Sequence, residues 1–269
     1  LTPVDLDWHS YIAYAMQEDT PLWECEMVRV NNRLSCVIPQ LPPNSIYKVG
    51  IACCTSHGIC IYCIDRLPAR TRPGAPRYPA LRSSTPNALT MVFEPPADAR
   101  DSAYIYAGTF DPPVGLNVYG GGCEKRQLTT DPFCETDLAV PATIYTFRIF
   151  ACTHKSLLCM EGETGNASTS DPQPGRLYLA RMQNGCVYVT WRSKIGNELD
   201  DKRVFRVRVD KTTSEEHRVP VGQGNYSYVF NGLQPSTPYI FTLDICEGQT
   251  CKTLDGAALA TLDAGEFYE

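Results

Sequence analysis

Short stretches in which apolar and polar residues alternate recur along the whole chain. The clearest follows Tyr239, and comparable stretches follow two earlier tyrosines, Tyr47 and Tyr145. Alternation with a period of two predicts β-strands that bury one face. We therefore expect an all-β chain with almost no helix. The apolar positions after the third tyrosine are Phe241, Leu243 and Ile245.

A proline-containing motif precedes each of these strands. Residues 233–239 read Leu-x-Pro-x-Thr-x-Tyr, and residues 41–47 read Leu-x-Pro-x-Ser-x-Tyr. The middle copy, 141–145, keeps Pro-x-Thr-x-Tyr but has Ala139, next to Leu138, at the leucine position. The three tyrosines are 98 and 94 residues apart. A repeat of that length predicts one β-sandwich of about 100 residues per copy.

The motif is typical of a tyrosine corner, in which a tyrosine ring is buried where the chain crosses between two sheets. The tyrosine hydroxyl bonds to backbone a few residues upstream, and proline fixes φ at the crossover. The motif and its alternating strand resemble the E–F corner and F strand of fibronectin type III domains. The resemblance covers nearly the whole chain and implies three consecutive fibronectin type III-like (immunoglobulin-like) β-sandwiches. Its corner residues are then Tyr47, Tyr145 and Tyr239.

Proline- and glycine-rich segments at 66–76 and 168–175 predict linkers between the copies. We expect a truncated first module at 1–70, a second module at 71–173 and a third at 174–269. Five arginines lie in and just after the first linker. They favour either a solvated spacer or a patch for sulfated glycans and acidic partners. These arginines are Arg66, Arg70, Arg72, Arg77 and Arg82.

The first module is short, because only 46 residues precede Tyr47. Val4-x-Leu6-x-Trp8 alternates like a B strand, so one interpretation is that strand A alone is absent. If Trp8 instead opens a C strand over residues 10–16, both A and B are absent. Either interpretation leaves a sheet edge exposed or completed by another segment. A hairpin is expected after it, with strands 23–30 and 34–38 around the turn pair Asn31-Asn32.

In the second module, residues 89–93 read as strand B and residues 104–110 as strand C, with a glycine turn or bulge at 120–122. In the third module, Phe205, Val207 and Val209 are expected inside strand C. The intervening Arg206 and Arg208 point outward, solvated or paired with Glu215 and Glu216 on the neighbouring strand. Strand B of the third module is expected to bury Val187, Val189 and Trp191.

Thirteen cysteines favour an oxidising compartment and disulfide bracing of small sandwiches. Cys25 and Cys36 precede Tyr47 by 22 and 11 residues, and Cys123 and Cys134 precede Tyr145 by the same numbers. We expect each pair to form a bridge before its corner. In the third module the matching residues are His217 and Tyr228.

A second set of cysteines follows the tyrosines. Cys54, Cys152 and Cys246 each lie 7 residues after their tyrosine, an odd spacing that predicts the strand face opposite the core. Cys152–Cys159 and Cys246–Cys251 are expected to close the hairpin between strands F and G.

In the first module four cysteines are clustered. Matching positions favour Cys54–Cys60 and Cys53–Cys63, with Cys54–Cys63 as the reverse assignment and a zinc site as a further alternative. One cysteine is left over: Cys186 is either an unpaired thiol or a bridge to another chain.

Two sequons, at Asn166 and Asn225, predict glycosylation and fit a secreted or extracellular chain, including the ectodomain of a membrane protein. No signal peptide is visible at Leu1. No apolar run approaches the roughly 18 residues of a membrane span. The net charge of −6 gives no reason to expect a nucleic-acid partner.

We expect no enzymatic activity, metal or cofactor. The four histidines show no ligand spacing, and no nucleophile, phosphate-loop or dinucleotide motif is present. The leading hypothesis is an adhesion or recognition protein whose partner is a protein or an extracellular glycan, bound through loops at one sandwich end or an exposed sheet edge. The alternatives are a subunit of an extracellular polymer, completed by strand or disulfide exchange between chains, and a non-catalytic module of a secreted enzyme.

Overall fold

The third module is two antiparallel sheets packed on one core. A computed structural model of the protein describes residues 8–17, 20–99, 104–118, 120–125, 132–153, 158–193, 203–210 and 216–263. In the third module the sheet orders are β15-β16-β19 and β18-β17-β20-β21, which correspond to strands A-B-E and C′-C-F-G. The strands are β15 (Leu177–Arg181), β16 (Val187–Arg192), β17 (Arg203–Val209), β18 (Glu216–Pro220), β19 (Asn225–Phe230), β20 (Pro238–Glu247) and β21 (Thr250–Ala260).

The core of this module is where the alternation predicts it. Trp191 on β16 is fully buried and contacts Phe205 on β17 edge-to-face, with ring centroids 6.1 Å apart. Phe230 and Phe241 meet across the two sheets at 5.4 Å. Such aromatic pairs contribute about 0.5–1.5 kcal/mol beyond their buried area. The remaining predicted inward residues, Val187, Val189, Val207 and Val209, are all buried.

The second module repeats this arrangement. Its sheets are β11-β8-β7 and β10-β9-β12-β13, and β14 also pairs with β12. Phe93 on β8 and Tyr106 on β9 join the sheets, with ring centroids 5.2 Å apart. The strands are β7 (Arg77–Ser84), β8 (Leu89–Glu94), β9 (Tyr104–Asp111), β10 (Gly122–Lys125), β11 (Phe133–Thr136), β12 (Ile144–Thr153), β13 (Cys159–Glu161) and β14 (Gly165–Ser168).

The first module has one four-stranded sheet, β2-β1-β5-β6, and a separate two-stranded hairpin. By position these four strands are C′, C, F and G, so among the described residues strands A and B have no counterpart. Trp8 precedes the sheet, and Val4 and Leu6 lie outside the described residues. The strands are β1 (Ser10–Gln17), β2 (Thr20–Glu26), β3 (Val28–Val30), β4 (Arg33–Ser35), β5 (Ile46–Cys54) and β6 (Cys60–Arg70).

The hairpin of the first module is shorter than the sequence predicts. Its strands cover only residues 28–30 and 33–35, around Asn31 and Asn32 with φ of 48° and 61°. The expected first strand began at Trp23, but Trp23 lies in β2 and pairs with Ala15 of β1. From there its ring covers Tyr47, with centroids 5.5 Å apart. Residues 23–26 therefore extend the first sheet beside β1 instead of lengthening the hairpin.

The all-β fold and the fibronectin type III-like sandwiches are confirmed by the strand order of the second and third modules. The described chain forms two compact units, one of residues 1–74, 96–103 and 152–160, and one of the remaining residues. No sheet combines described strands from both sides of residue 70 or of residue 173. The boundaries expected at those positions remain a proposal, which this sheet membership supports.

Candidate recognition surface

Hydrogen bonds to the corner tyrosines fix the start of the F strand in the second and third modules. The backbone N–H of Val140 donates to the Tyr145 hydroxyl at 2.8 Å, and that of Gln234 donates to Tyr239 at 3.0 Å. Burial raises the pKa of Tyr145, while the bond from Val140 lowers it and the nearby Tyr188 raises it, with a net upward shift. The phenol therefore stays neutral at physiological pH.

A threonine at the end of each G strand fastens the same corner, and sequence reasoning missed it. Thr261 Oγ1 donates to the carbonyl of Gln234 at 2.6 Å and accepts from the backbone N–H of Thr237 at 3.1 Å. Thr169 makes the equivalent bonds to Val140 (2.7 Å) and Thr143 (2.9 Å) in the second module. In the first module Thr71 bonds the Pro42 carbonyl (2.7 Å) and the Ser45 N–H (2.9 Å). The available signal was a threonine 24, 24 and 22 residues after the corner tyrosine.

Six disulfides join the cysteines in the pairs that their spacing suggested. Two of the bridges join strand C′ to the segment at the position of strand E. The other four join strands F and G. The clustered cysteines of the first module form two bridges in place of a zinc site. The pairs are Cys25–Cys36, Cys53–Cys63, Cys54–Cys60, Cys123–Cys134, Cys152–Cys159 and Cys246–Cys251.

The hairpin cysteines are buried, although their spacing predicts the strand face opposite the core. Cys54, Cys152 and Cys246 are 3%, 7% and 1% exposed. Cys54 and Cys246 each lie directly opposite their partner on the neighbouring strand. We attribute the burial to the bridge itself, because each sulfur is covered by the partner half-cystine even on the outer face.

In the third module an aromatic stack occupies the place of the C′–E disulfide. His217 on β18 and Tyr228 on β19 stack with ring centroids 4.0 Å apart and planes 14° from parallel. Cys123 on β10 and Cys134 on β11 join the corresponding strands of the second module. The third module therefore closes this side by side-chain packing instead of a covalent bond.

The outer face of the first sheet carries an exposed cluster of aromatic and cationic side chains. The Arg66 guanidinium lies over the Tyr62 ring at 5.2 Å, and Tyr62 meets Tyr14 edge-to-face at 5.9 Å. Tyr62 is 50% exposed. Gly50 makes the close packing possible, because a Cβ at this position would lie 3.1 Å from the Met16 methyl and 3.6 Å from Arg66 Cγ.

Two more cations share this face. Lys48 lies opposite Met16 on β1 and opposite Pro68 on β6, and Arg70 lies opposite Ile46, so strand pairing puts all of them on the side of Gly50. Both Lys48 and Arg70 are exposed. We call the set Tyr14, Tyr62, Arg66, Lys48 and Arg70 the tyrosine–arginine face.

An acidic side chain on β2 adjoins the tyrosine–arginine face. Glu24 on β2 lies directly opposite Tyr14. The pKa of Tyr14 is raised by burial first, then by the negative charge of Glu24 and by Tyr62. The phenol therefore stays protonated and is a hydrogen-bond donor at neutral pH. Strands β5 and β6 contribute the cations Lys48, Arg66 and Arg70 to this face.

The same face of the third module is neutralised internally. Asp244 is 1% exposed, and its carboxylate accepts from Arg206 at 2.8 Å and Arg208 at 3.1 Å. Burial by itself would raise its pKa, but bonds from Thr253, Arg206 and Arg208 outweigh it and hold the pKa below the usual value. The predicted pairing to the neighbouring strand is present as well, since Glu216 lies 3.8 Å from Arg206; Glu215 is outside the described residues.

Strand β6 is the edge of the first sheet, and it is unfavourable for pairing with another strand. Its described side chains are exposed, including Ile61 and Leu67. Pro68 lacks an N–H, and the register with β5 shifts twice, between Val49 and Ile51 and between Ile51 and Ala52. Proline, charge and bulges are the devices by which sheet edges resist pairing. The side chains of the sheet face, and not its backbone edge, are therefore the surface available to a partner.

The remaining predicted residues are dispersed. Asn166 and Asn225 are exposed, and Asn166 accepts a bond from Thr146 at 3.1 Å. Cys186 is partly buried without a disulfide among the described residues, and its thiol donates to Asn231 at 3.2 Å. Of the other linker arginines, Arg82 lies over the Phe133 ring at 5.8 Å.

A cavity of about 770 Å³ is lined by the loop 112–118 and by Gly120 to Gly122. Its carboxylate, Asp111, is paired with Arg148 at 2.7 Å. In the described ranges no group of three or more His, Cys, Asp or Glu side chains is placed to hold a metal. No described helix is long and apolar enough to cross a membrane.

Of the comparisons with known proteins, the one with solved structures gives a match. No family model and no curated protein matches the chain. Among solved structures, a crystal structure of the FN1–FN3 domains of chicken CNTN1 matches 96% of this chain and 90% of that chain, at 15% identity and a TM-score of 0.28. At these values the likeness carries no argument about function, and the fold rests on the sheets of this chain.

Proposed function

We propose that this chain is a non-catalytic extracellular recognition protein, which binds another protein through the tyrosine–arginine face of its first module. The observation that carries the proposal is the Arg66 guanidinium held over the half-exposed ring of Tyr62, on a sheet face braced by two disulfides. Tyrosine and arginine are enriched among the residues that dominate binding energy at protein interfaces. A rigid scaffold lowers the entropic cost of presenting them.

The bracing of β6 supports this use of the face. Cys54–Cys60 and Cys53–Cys63 fasten its first four residues to β5, immediately beside Tyr62. The backbone of such a strand has little freedom to lose on binding. Disulfides of this density also support an oxidising, extracellular location.

The alternative of a polymer completed by strand exchange is less favoured. An exchange of strands at β6 would have to proceed beside Pro68 and two register shifts. Light scattering at increasing concentration separates the two: we expect a monodisperse monomer, whereas growth of the scattering mass with concentration would favour the polymer.

The test of the proposed function is a binding screen. The purified chain is probed against a library of extracellular protein ectodomains and against a glycan array. The same screen is run with Tyr62→Ala/Arg66→Ala. The matched control is Arg77→Ala/Tyr78→Ala, which removes an adjacent exposed arginine and tyrosine from β7, where Tyr78 is 62% exposed.

We expect at least one ectodomain that binds the unaltered chain and the control, and binds the face variant at least tenfold more weakly. Loss of a central cation–π pair with its desolvated contacts corresponds to about 1.4 kcal/mol or more. Equal binding by all three proteins would contradict the proposal. Loss of binding only in the Arg77→Ala/Tyr78→Ala control would place the binding site on the second module.

A further inference from the structure

A surface of the second module packs against the third module across the predicted linker 168–175. We propose that these two modules form one rigid body, in which an apolar interface and a bonded linker prevent the segment 168–175 from acting as a hinge. Domains of one chain move relative to each other by default, unless the surface between them is large and apolar. In this protein an apolar cluster, a displaced leucine and the bonds of the linker act together against that motion.

The interface is an apolar cluster between the second module and the first two strands of the third. Its buried members are Val118 and Val140 of the second module, each 6% exposed, and Ala180 of β15, which is 2% exposed. The partly buried residues packed against them are Leu116, Met182 and Tyr188. Val118 also pairs with Met182 through an antiparallel backbone bridge. Separation of the modules would therefore expose the cluster to water and break a backbone pairing at the same place.

Leu138 reaches from the second module onto the core of the third, and it accounts for the departure of the middle corner motif. In the third module the leucine of the motif, Leu233, is 4% exposed in its own core. The second module has the small Ala139 at that position, and the preceding Leu138 packs against the core cluster of the third module. Leu138 has φ of 59°, a left-handed conformation that is unfavourable for a side chain of this size. Such a conformation persists where the surroundings hold the residue in place, and here the third module supplies part of that packing.

The linker between these modules is bonded to one module at each end. The backbone N–H of Ser170 donates to the Thr85 carbonyl in the second module at 3.1 Å. The backbone N–H of Gly175 donates to the Arg192 carbonyl in the third module at 2.9 Å. Pro172, which lies between these two bonds, is buried. Because the proline ring also fixes φ at this residue, few backbone angles between the two bonds are left to change.

The test is a measurement of residual dipolar couplings by nuclear magnetic resonance on the full chain, weakly aligned in a dilute liquid-crystalline medium. The backbone couplings of each module define an alignment tensor, and two modules that form one rigid body share the same tensor. The disrupting variant is Leu116→Ser/Leu138→Asn, which removes two apolar side chains of the interface; asparagine tolerates the left-handed conformation at position 138. The matched control is Val114→Ser/Ile144→Ser, which removes two exposed apolar side chains of the same module.

We expect the second and third modules to share one tensor in the unaltered chain and in the control, and to lose the shared tensor in the disrupting variant. The couplings of each module should still fit its own structure in both variants, which establishes that the modules stay folded. Two different tensors in the unaltered chain would overturn the proposal whether or not the variants fold. A shared tensor in the disrupting variant, with both modules folded, would overturn the role of the interface, because the linker alone would then hold the modules. None of these outcomes depends on the binding proposed for the first module.

Discussion

Replacement of Thr261 by valine tests how the corner of the third module is held. Valine has nearly the same shape as threonine but cannot hydrogen-bond, so packing is kept while two bonds are lost. The hydroxyl of Thr261 donates to the Gln234 carbonyl at 2.6 Å and accepts from the Thr237 N–H at 3.1 Å, and the residue is 5% exposed. Both backbone groups lose this partner in the variant.

The expected magnitude follows from those two groups. A buried polar group left without a partner costs about 1–3 kcal/mol. Thr237 N–H and Gln234 C=O are both partly buried, so we expect Thr261→Val to lower the free energy of unfolding by about 2–4 kcal/mol. Tyr239→Phe removes the bond from the Gln234 N–H, and we expect about 1–1.5 kcal/mol.

Hydrogen–deuterium exchange read by mass spectrometry is the appropriate assay, because it reports each module within the full chain. Amides of β20 and β21 should exchange faster in Thr261→Val than in Tyr239→Phe, while amides of the second module stay unchanged. Equal protection in Thr261→Val and the unaltered chain would refute the role of this threonine. A larger effect for Tyr239→Phe than for Thr261→Val would refute the ranking.

The remaining predictions concern charge, backbone and cysteines. Because the pKa of Asp244 is lowered in the folded chain, the stabilisation by its carboxylate is present at neutral pH and is lost as the pH falls below about 4. Asp244→Asn should lower the free energy of unfolding by about 2 kcal/mol at pH 7, and the urea midpoints of the variant and the unaltered chain should converge in acid. A difference between these midpoints that does not change with pH would contradict the role of the Asp244 charge. Ala142 has φ of 51°, so Ala142→Gly should stabilise the second module by about 0.5 kcal/mol in the same exchange assay, and destabilisation would show that the strain is not relieved. Non-reducing peptide mapping should give the six bridges of the structure with Cys186 alkylated before reduction; a Cys54–Cys63 or Cys186–Cys186 peptide would change the assignment.

The modular fold could be predicted because the corner tyrosines lie at fixed positions in each copy. A buried tyrosine followed by inward residues at every second position constrains both the sheet crossing and the strand after it. Spacing from Tyr47 and Tyr145 also suggested the C′–E disulfides, because the same strands approach each other in both modules. The threonine that fastens the corner escaped this approach: it lies 24 residues after the tyrosine in the first two modules, but its spacing falls to 22 in the third.

The tyrosine–arginine face could not be predicted from sequence. Tyr14 and Tyr62 are 48 residues apart, and they meet only because β1 and β6 both pair with β5. Arg66 belongs to a stretch in which the register shifts, so alternation along β6 does not determine its side of the sheet. The burial of Cys246 was also not predicted. Its spacing from Tyr239 indicates the side of the strand on which it lies, but not that the sulfur of Cys251 covers it there.

Hydroxyl-radical footprinting of the chain bound to an ectodomain from the screen tests the central claim most directly. Tyr62 is 50% exposed and Tyr78 is 62% exposed, so both tyrosines should be labelled in the unbound chain. On binding, the account predicts that labelling of Tyr62 falls several-fold while labelling of Tyr78 does not change. Unchanged labelling of Tyr62 in the bound chain, or a loss confined to Tyr78, would contradict it.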